Sequence, residues 1–405
     1  MSMKYIRKQY HTLSERIQEP RRFMQVIAGP RQVGKSTLVA QLLREVSIPH
    51  SIAIADAIDP KDSDWIRRVW EAARTTMRLR GEEQHLLVID EIQKIDNWSE
   101  MVKREWDEDT HKQVNLKVVL LGSSRLLLKR GLTESLAGRF ELIRLGHWSY
   151  QEMHDAFGMG LEEYIYFGGY PGAADLIGDE KRWRKYIKDS LVAPAIEKDV
   201  LMTSNIYKPA LMKQLFELGC GYSAEMLSLT KLMGQLQDAG NVTTLASYLE
   251  ILDQCALLTG LQKYAHDDAR KRSSIPKYQV YNNALLTAYK GRSFPLDRTD
   301  PMLWGRWVES AVGAHLLGMA EEVDYQVYYW RESARSKAEG DMEVDFIVVN
   351  SGEVTAIEVK SGRRGMNSGL PAFEKAFHPK RSIVVGTGGV SLEDFLSCDI
   401  ETLLS

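Results

Sequence analysis

Apolar runs of strand length at Phe23–Ala28, Ser51–Ala55, Leu86–Asp90, Lys117–Gly122 and Glu141–Leu145 alternate with helical stretches over residues 1–146. Runs that are nearly continuous rather than strictly alternating mark strands buried on both faces, so this part predicts an α/β domain whose parallel sheet is covered by helices. From 147 to 205 the pattern turns helical and aromatic-rich, with a glycine break at Phe167–Gly172, which predicts a small helical lid. Residues 206–265 carry three short helical patterns and then an apolar run. The last of these helices repeats Leu245, Tyr248, Leu249 and Leu252, with Thr243 or Thr244 as its cap. That spacing suits a winged helix. The helix presents Ser247 and Glu250 rather than arginines or lysines, so packing or protein contact is served as well as DNA. The polar stretch His266–Ser274 reads as a loop and boundary, and 276–405 as a last domain with a helix around Trp304–Leu317 and strands Glu343–Val349 and Val354–Lys360.

A chain of 405 residues exceeds one core of ordinary size, so about two to four domains are expected. Cys220, Cys255 and Cys398 form no paired motif, which suits a reducing compartment and buried apolar roles rather than a structural zinc. No stretch approaches the roughly 18 apolar residues of a membrane span, and the basic start lacks an apolar leader core, so a cytoplasmic protein with no membrane partner is expected. The formal net charge of -3 gives no global attraction for nucleic acid, leaving only local basic surfaces. Lys181–Lys188, with aromatics between its basic residues, reads either as such a surface or as a solvated helix face anchored by Trp183 and Tyr186.

The chemistry concentrates in two places. Gly29–Thr37, GPRQVGKST, matches the phosphate-loop spacing between a strand and a helix. Gly29 and Gly34 let the backbone turn its amides inward, Pro30, Arg31, Gln32 and Val33 supply the loop between them, and the helix N-terminus favours an anion. Lys35 can reach the β- and γ-phosphates of ATP, and Ser36 can share Mg²⁺ with Asp90, Thr37 being the weaker hydroxyl candidate. Glu91, next to Asp90 at the end of a buried strand, is placed to polarise the attacking water. Ser123 and Ser124 follow another strand, where one can sense the γ-phosphate. Arg139 is either a finger offered to a neighbouring subunit's nucleotide or a surface residue paired with a local acid.

In the last domain Glu309, Asp345, Glu358 and Lys360 can converge. Asp345 and Glu358 on adjacent strands can hold Mg²⁺ or Mn²⁺, and alternation puts Lys360 on the face of Glu358, where it can orient water for phosphodiester hydrolysis. The other reading is a structural ion pair between Glu358 and Lys360 or a nearby arginine. The basic loop Ser361–Arg364 either guides a phosphate backbone or is simply solvated.

Taken together, GPRQVGKST, LLVIDEIQK, LLGSSRLLL, SLAGRFELIRL, YFGGYPG and WRES…EVDFIVV…AIEVKSG resemble prokaryotic AAA-type ATPases with a carboxyl-terminal winged helix and a PD-(D/E)xK nuclease-like domain of restriction-endonuclease type. The resemblance spans nearly the whole chain. It implies that Lys35 and Ser36 contact nucleotide, Asp90 and Glu91 form the Mg²⁺ and hydrolysis pair, Ser123 or Ser124 is the sensor, and Arg139 is an inter-subunit finger. It implies a nuclease core at Glu309, Asp345, Glu358 and Lys360. ATP hydrolysis, a ring or transient homo-oligomer and DNA as partner are the matching expectations, the alternative being a nucleotide switch whose last domain is inactive and binds protein. Two positions depart from the family pattern: Val344 replaces the signature proline, and Asn283 stands where an acidic residue or glycine turn is expected.

Overall fold

The computed structural model describes residues 5–62, 64–122, 135–200, 206–237, 240–265, 274–320, 322–323, 325–333, 341–362 and 369–404. The chain divides into two compact units, Met1–Leu145 and Gly146–Ser405.

In the first unit, α1 (Gln9–Gln18) precedes β1 (Met24–Ala28), α2 (Lys35–Glu45), β2 (His50–Ile54), α3 (Asp64–Arg80), β3 (His85–Asp90), α4 (Trp98–Lys112), β4 (Leu116–Gly122) and β5 (Phe140–Arg144). The strands form one parallel sheet in the order β2-β3-β4-β1-β5. Burial follows position in that order: every residue of β1 and β4 is buried, whereas the edge strand β2 leaves Ile52 and Ile54 exposed. The core joins Val26, Leu87, Ile89, Val118 and Leu120 of the sheet to Ile66, Trp70, Ala73 and Met77, one face of α3 at helical spacing. All five expected strands are present within a residue or so at each end. Helices α2, α3 and α4 carry the chain back between β1, β2, β3 and β4, and all the strands run parallel, so their carboxyl ends share one edge of the sheet.

The second unit opens with helices Tyr150–Phe157, Leu161–Phe167 and Glu180–Lys185. Helices Pro209–Gly221, Leu229–Met233 and Val242–Gln254 then lead into an antiparallel ribbon of β6 (Leu258–Leu261) and β7 (Lys277–Val280). The ribbon therefore runs across the boundary expected at residue 276. Asn241, not Thr243 or Thr244, caps helix Val242–Gln254, its side chain accepting the Thr244 amide at 2.8 Å. Asparagine outranks threonine as a cap, and the helix starts earlier than the apolar periodicity alone indicates.

Helices Asn283–Lys290 and Pro301–Ala320 connect to a four-stranded sheet ordered β11-β10-β9-β8, from β8 (Gln326–Glu332), β9 (Met342–Asn350), β10 (Glu353–Lys360) and β11 (Arg381–Gly386). Its core is Trp330, Val344, Ile347, Ala356, Leu370 and Phe373. Val344 lies on a strand paired on both sides, opposite Trp330, where a proline has no amide to give the ladder. Asn283 is fully engaged: its amide donates to Ile165 O at 2.7 Å and Trp307 O at 2.9 Å, and its Oδ1 accepts from Ser310 at 2.7 Å. A carboxylate has no N–H for those carbonyls, and glycine has no side chain to tie the three helices together. Among the described residues no helix is long and apolar enough to cross a membrane.

Candidate functional site

β1 ends at Ala28, and the chain must then pass directly beneath the carbonyl of Leu145. A Cβ on Gly29 lies 2.1 Å from that oxygen, so only glycine lets the loop begin there. Gly34 closes the loop at φ +94°, and α2 starts at Lys35, which turns its first amides toward the space ahead of the strand. Gln32 is left-handed as well, at φ 63°. Val33 is buried and its carbonyl accepts from Arg7 at 3.2 Å, fixing the back of the loop.

Lys35 is buried, and its ammonium donates to Gly29 O at 2.9 Å and Pro30 O at 2.7 Å. Ser36 Oγ donates to Asp90 Oδ2 at 2.9 Å, so the hydroxyl and carboxylate expected to share Mg²⁺ already meet. Two hard oxygen donors converging at a helix N-terminus fit that ion. Thr37 is exposed. Asp90 Oδ1 accepts the Glu91 amide at 2.9 Å, and Glu91, left-handed at φ 56°, accepts from Gln93 at 2.6 Å. The tight turn thus separates two consecutive carboxylates and gives each its own partner. Ser123 and Ser124 lie outside the described residues. Arg139 makes a two-pronged pair with Asp107, at 2.7 and 2.9 Å, on a partly exposed surface.

These features have the form of a triphosphate site, and a family model described as an AAA domain matches residues 21–154. The first unit is an AAA-type P-loop ATPase domain. Models described as domains of unknown function match 159–295 (DUF8612) and 304–398 (DUF4143). An uncharacterized protein of Methanocaldococcus jannaschii is 22% identical over 262 residues, covering 60% of this chain, and the chain spans 57% of that relative's length. A Walker-type ATPase of Pyrococcus abyssi superposes with TM-score 0.48 at 14% identity, over 70% of this chain and 94% of that one. A structure reported for katanin self-assembly gives TM-score 0.26 at 21% identity, over 34% and 45%. Likeness at these levels adds nothing to the assignment of the ATPase domain, which rests on the family match and the loop.

In the second unit the structure gathers Glu309, Asp345, Glu358 and Lys360, together with two residues that the sequence reading missed, Glu343 and Lys277. Glu343 and Asp345 share a face of β9, a spacing of two that strand periodicity makes legible. Lys277 opens the four-residue strand β7, and nothing in that short run announces it. It is fully buried, with Nζ 2.5 Å from Glu309 Oε1, 3.3 Å from Glu343 Oε1 and 3.7 Å from Asp345 Oδ1, and it donates to Asp345 O at 3.2 Å. Burial works against the ammonium, but Glu309, Asp345 and Glu343 overcome it and keep Lys277 charged. Burial pushes Glu309 up to about 8 against the pull of Lys277, and burial followed by Asp345 pushes Glu358 up to about 7.

Asp345 Oδ2 accepts the Val359 amide at 2.7 Å. Glu358 Oε1 sits 3.6 Å from Lys360, while its Oε2 is buried with no hydrogen-bond partner among the described residues. Ser361 and Gly362 follow β10, and Arg363 and Arg364 lie outside the described residues.

Proposed function

We propose that this chain hydrolyses ATP and uses the cycle to drive its second unit. One observation carries the reading: Lys35, Ser36, Asp90 and Glu91 converge around a loop whose glycines are demanded by geometry. The loop amides hold the phosphate oxygens, and Lys35 leaves the carbonyls of Gly29 and Pro30 to neutralise the γ-phosphate. Ser36 and Asp90 are the residues that would hold Mg²⁺, which would supply compensation for the phosphate charge. Glu91 draws the proton from a water whose oxygen attacks γ-phosphorus as the bond to the bridging oxygen breaks and ADP leaves. Phosphate release by purified protein tests this, and a protein that neither turns over ATP nor retains it at millimolar concentration sinks it. For Arg139 to act on a neighbour's nucleotide in a homo-oligomer it must give up Asp107, an exposed pair worth about 0.2–1 kcal/mol.

A second reading, coupling to DNA, is favoured by one feature of the basic stretch noted above. Trp183 and Ile187 are buried on one side of the helical segment, while Lys181, Lys185 and Lys188 recur at helical spacing on the other, beside a cleft of about 590 Å³ that Arg292 also lines. Arg184 is not part of the stripe, because it donates to the Thr287 and Gly291 carbonyls at 2.8 and 2.7 Å and so secures the end of helix Asn283–Lys290. The three-helix and ribbon segment has the element order of a winged helix, and Met226 bridges Lys277 as a third strand would. Replacing Lys181, Lys185 and Lys188 with glutamate is expected to weaken duplex DNA binding at least about tenfold at low salt and to reduce the salt slope by about 2–3. Unchanged binding and slope, or a wild type that binds no DNA, removes this reading and leaves the ATPase assignment standing.

A further inference from the structure

The resemblance calls for a divalent cation at this acidic cluster, and its Glu309, Glu343 and Asp345 side chains already surround an ammonium. An ammonium has three N–H donors, and Lys277 has an acceptor for each: Glu309 Oε1 at 2.5 Å, Asp345 O at 3.2 Å and Glu343 Oε1 at 3.3 Å. The carboxylate oxygens of Glu309, Glu343 and Asp345 lie within 4.8 Å of one another, close enough to share a single ligand sphere. Nζ lies 2.5, 3.3 and 3.7 Å from oxygens of these three groups. Of the two Asp345 oxygens, Oδ1 faces Lys277 and Oδ2 is bonded to the Val359 amide, while Glu358 Oε1 lies 3.6 Å from Lys360 and its Oε2 has no hydrogen-bond partner among the described residues.

We infer that Lys277 is the resident cation of this cluster, taking the place of a divalent metal and tying ribbon strand β7 to β9 and helix Pro301–Ala320. A hard cation needs its oxygens at about 2.0–2.6 Å and carries its own double charge, so it and the ammonium exclude each other. Lys277 is also the counter-charge that makes the close approach of these partly buried carboxylates tolerable. Removing it leaves acids that require either protons or another cation. The wild-type cluster is therefore closed to Mg²⁺ and Mn²⁺, and Lys277→Met opens it. This inference is independent of whether the first unit hydrolyses ATP.

The test is Mn²⁺ binding by the nucleotide-free full chain, followed by electron paramagnetic resonance or calorimetry. The wild type is compared with Glu343→Gln, a one-third exposed position where an amide oxygen still accepts from Lys277. The two are expected to give the same Mn²⁺ isotherm, since whatever binds near Ser36 and Asp90 is common to both. Lys277→Met is expected to gain one equivalent of Mn²⁺, at least tenfold tighter than the wild type, which Lys277→Met/Glu343→Gln loses. Mn²⁺ should also raise the melting temperature of Lys277→Met by more than that of the wild type. A wild-type Mn²⁺ site that Glu343→Gln removes overturns the inference, and so does a folded Lys277→Met protein that gains none. Should Lys277→Met fail to fold, the wild type against Glu343→Gln decides alone.

Discussion

Lys35→Ala is expected to lower ATP turnover by about 10²–10³-fold and to release nucleotide that the wild type retains. The substitution removes an ammonium at the loop's helix N-terminus, where negative charge on the γ-phosphate grows as its bond to ADP loosens. It also leaves the Gly29 and Pro30 carbonyls without the donor that now satisfies them at 2.9 and 2.7 Å, so the loop loses its internal brace. Both effects weaken ground-state and transition-state binding together. Glu91→Gln separates the two. Glutamine keeps an oxygen for the Gln93 amide, now 2.6 Å away, so the left-handed turn after Asp90 survives, but the base that draws the water's proton is gone. Turnover should fall by a similar factor with retention intact, and the contrast identifies the roles. Equal retention in Lys35→Ala and wild type argues against phosphate contact by Lys35, and a wild-type rate in Glu91→Gln argues against the base.

How much of this was legible depended on whether the signal was local. The phosphate loop follows from nine consecutive residues, because backbone curvature and helix start are set within the segment. The strands of the first sheet follow from runs such as Leu86–Asp90, since burial on both faces leaves no room for alternation. Lys277 was not legible, because its meaning lies in helix Pro301–Ala320 and β9, far along the chain. Asn283 looked like a departure from pattern for the same reason: its partners are the carbonyls of Ile165 and Trp307. Glu343 stood two residues from a residue already singled out, and strand alternation alone could have added it. Arg139 carried two readings, and the structure places it on Asp107, which no spacing rule forecasts from 32 residues away.

Arg74→Met is expected to destabilise the first unit by about 3–5 kcal/mol. Arg74 is buried between α3 and α4, donating to Asp109 Oδ1 at 2.7 Å and Glu105 Oε2 at 2.8 Å, and Asp109 also accepts the Trp70 indole at 2.7 Å. Burial pulls the guanidinium pKa down, and the bonds to Asp109 and Glu71 more than offset it, so the group stays charged. Methionine fills similar volume but leaves Asp109 and Glu105, both buried and one turn apart on α4, without that guanidinium, Glu105 keeping Arg104 at 3.1 Å and Asp109 the Trp70 indole. Asp109 must then take up a proton or draw in water, and either route loosens the face of α3 that carries Trp70 onto the sheet. Against a typical domain stability of about 5–15 kcal/mol this is a large fraction, and the urea midpoint should drop by roughly 1–3 M. Arg139→Met is the comparison, since it breaks a two-pronged arginine–carboxylate pair of the same chemistry at the partly exposed Asp107, and its cost should stay below about 1 kcal/mol. Equal shifts in the two variants mean that burial does not set the worth of the Arg74 network, whereas a large shift confined to Arg74→Met locates much of the stability of the ATPase domain in the α3–α4 seam.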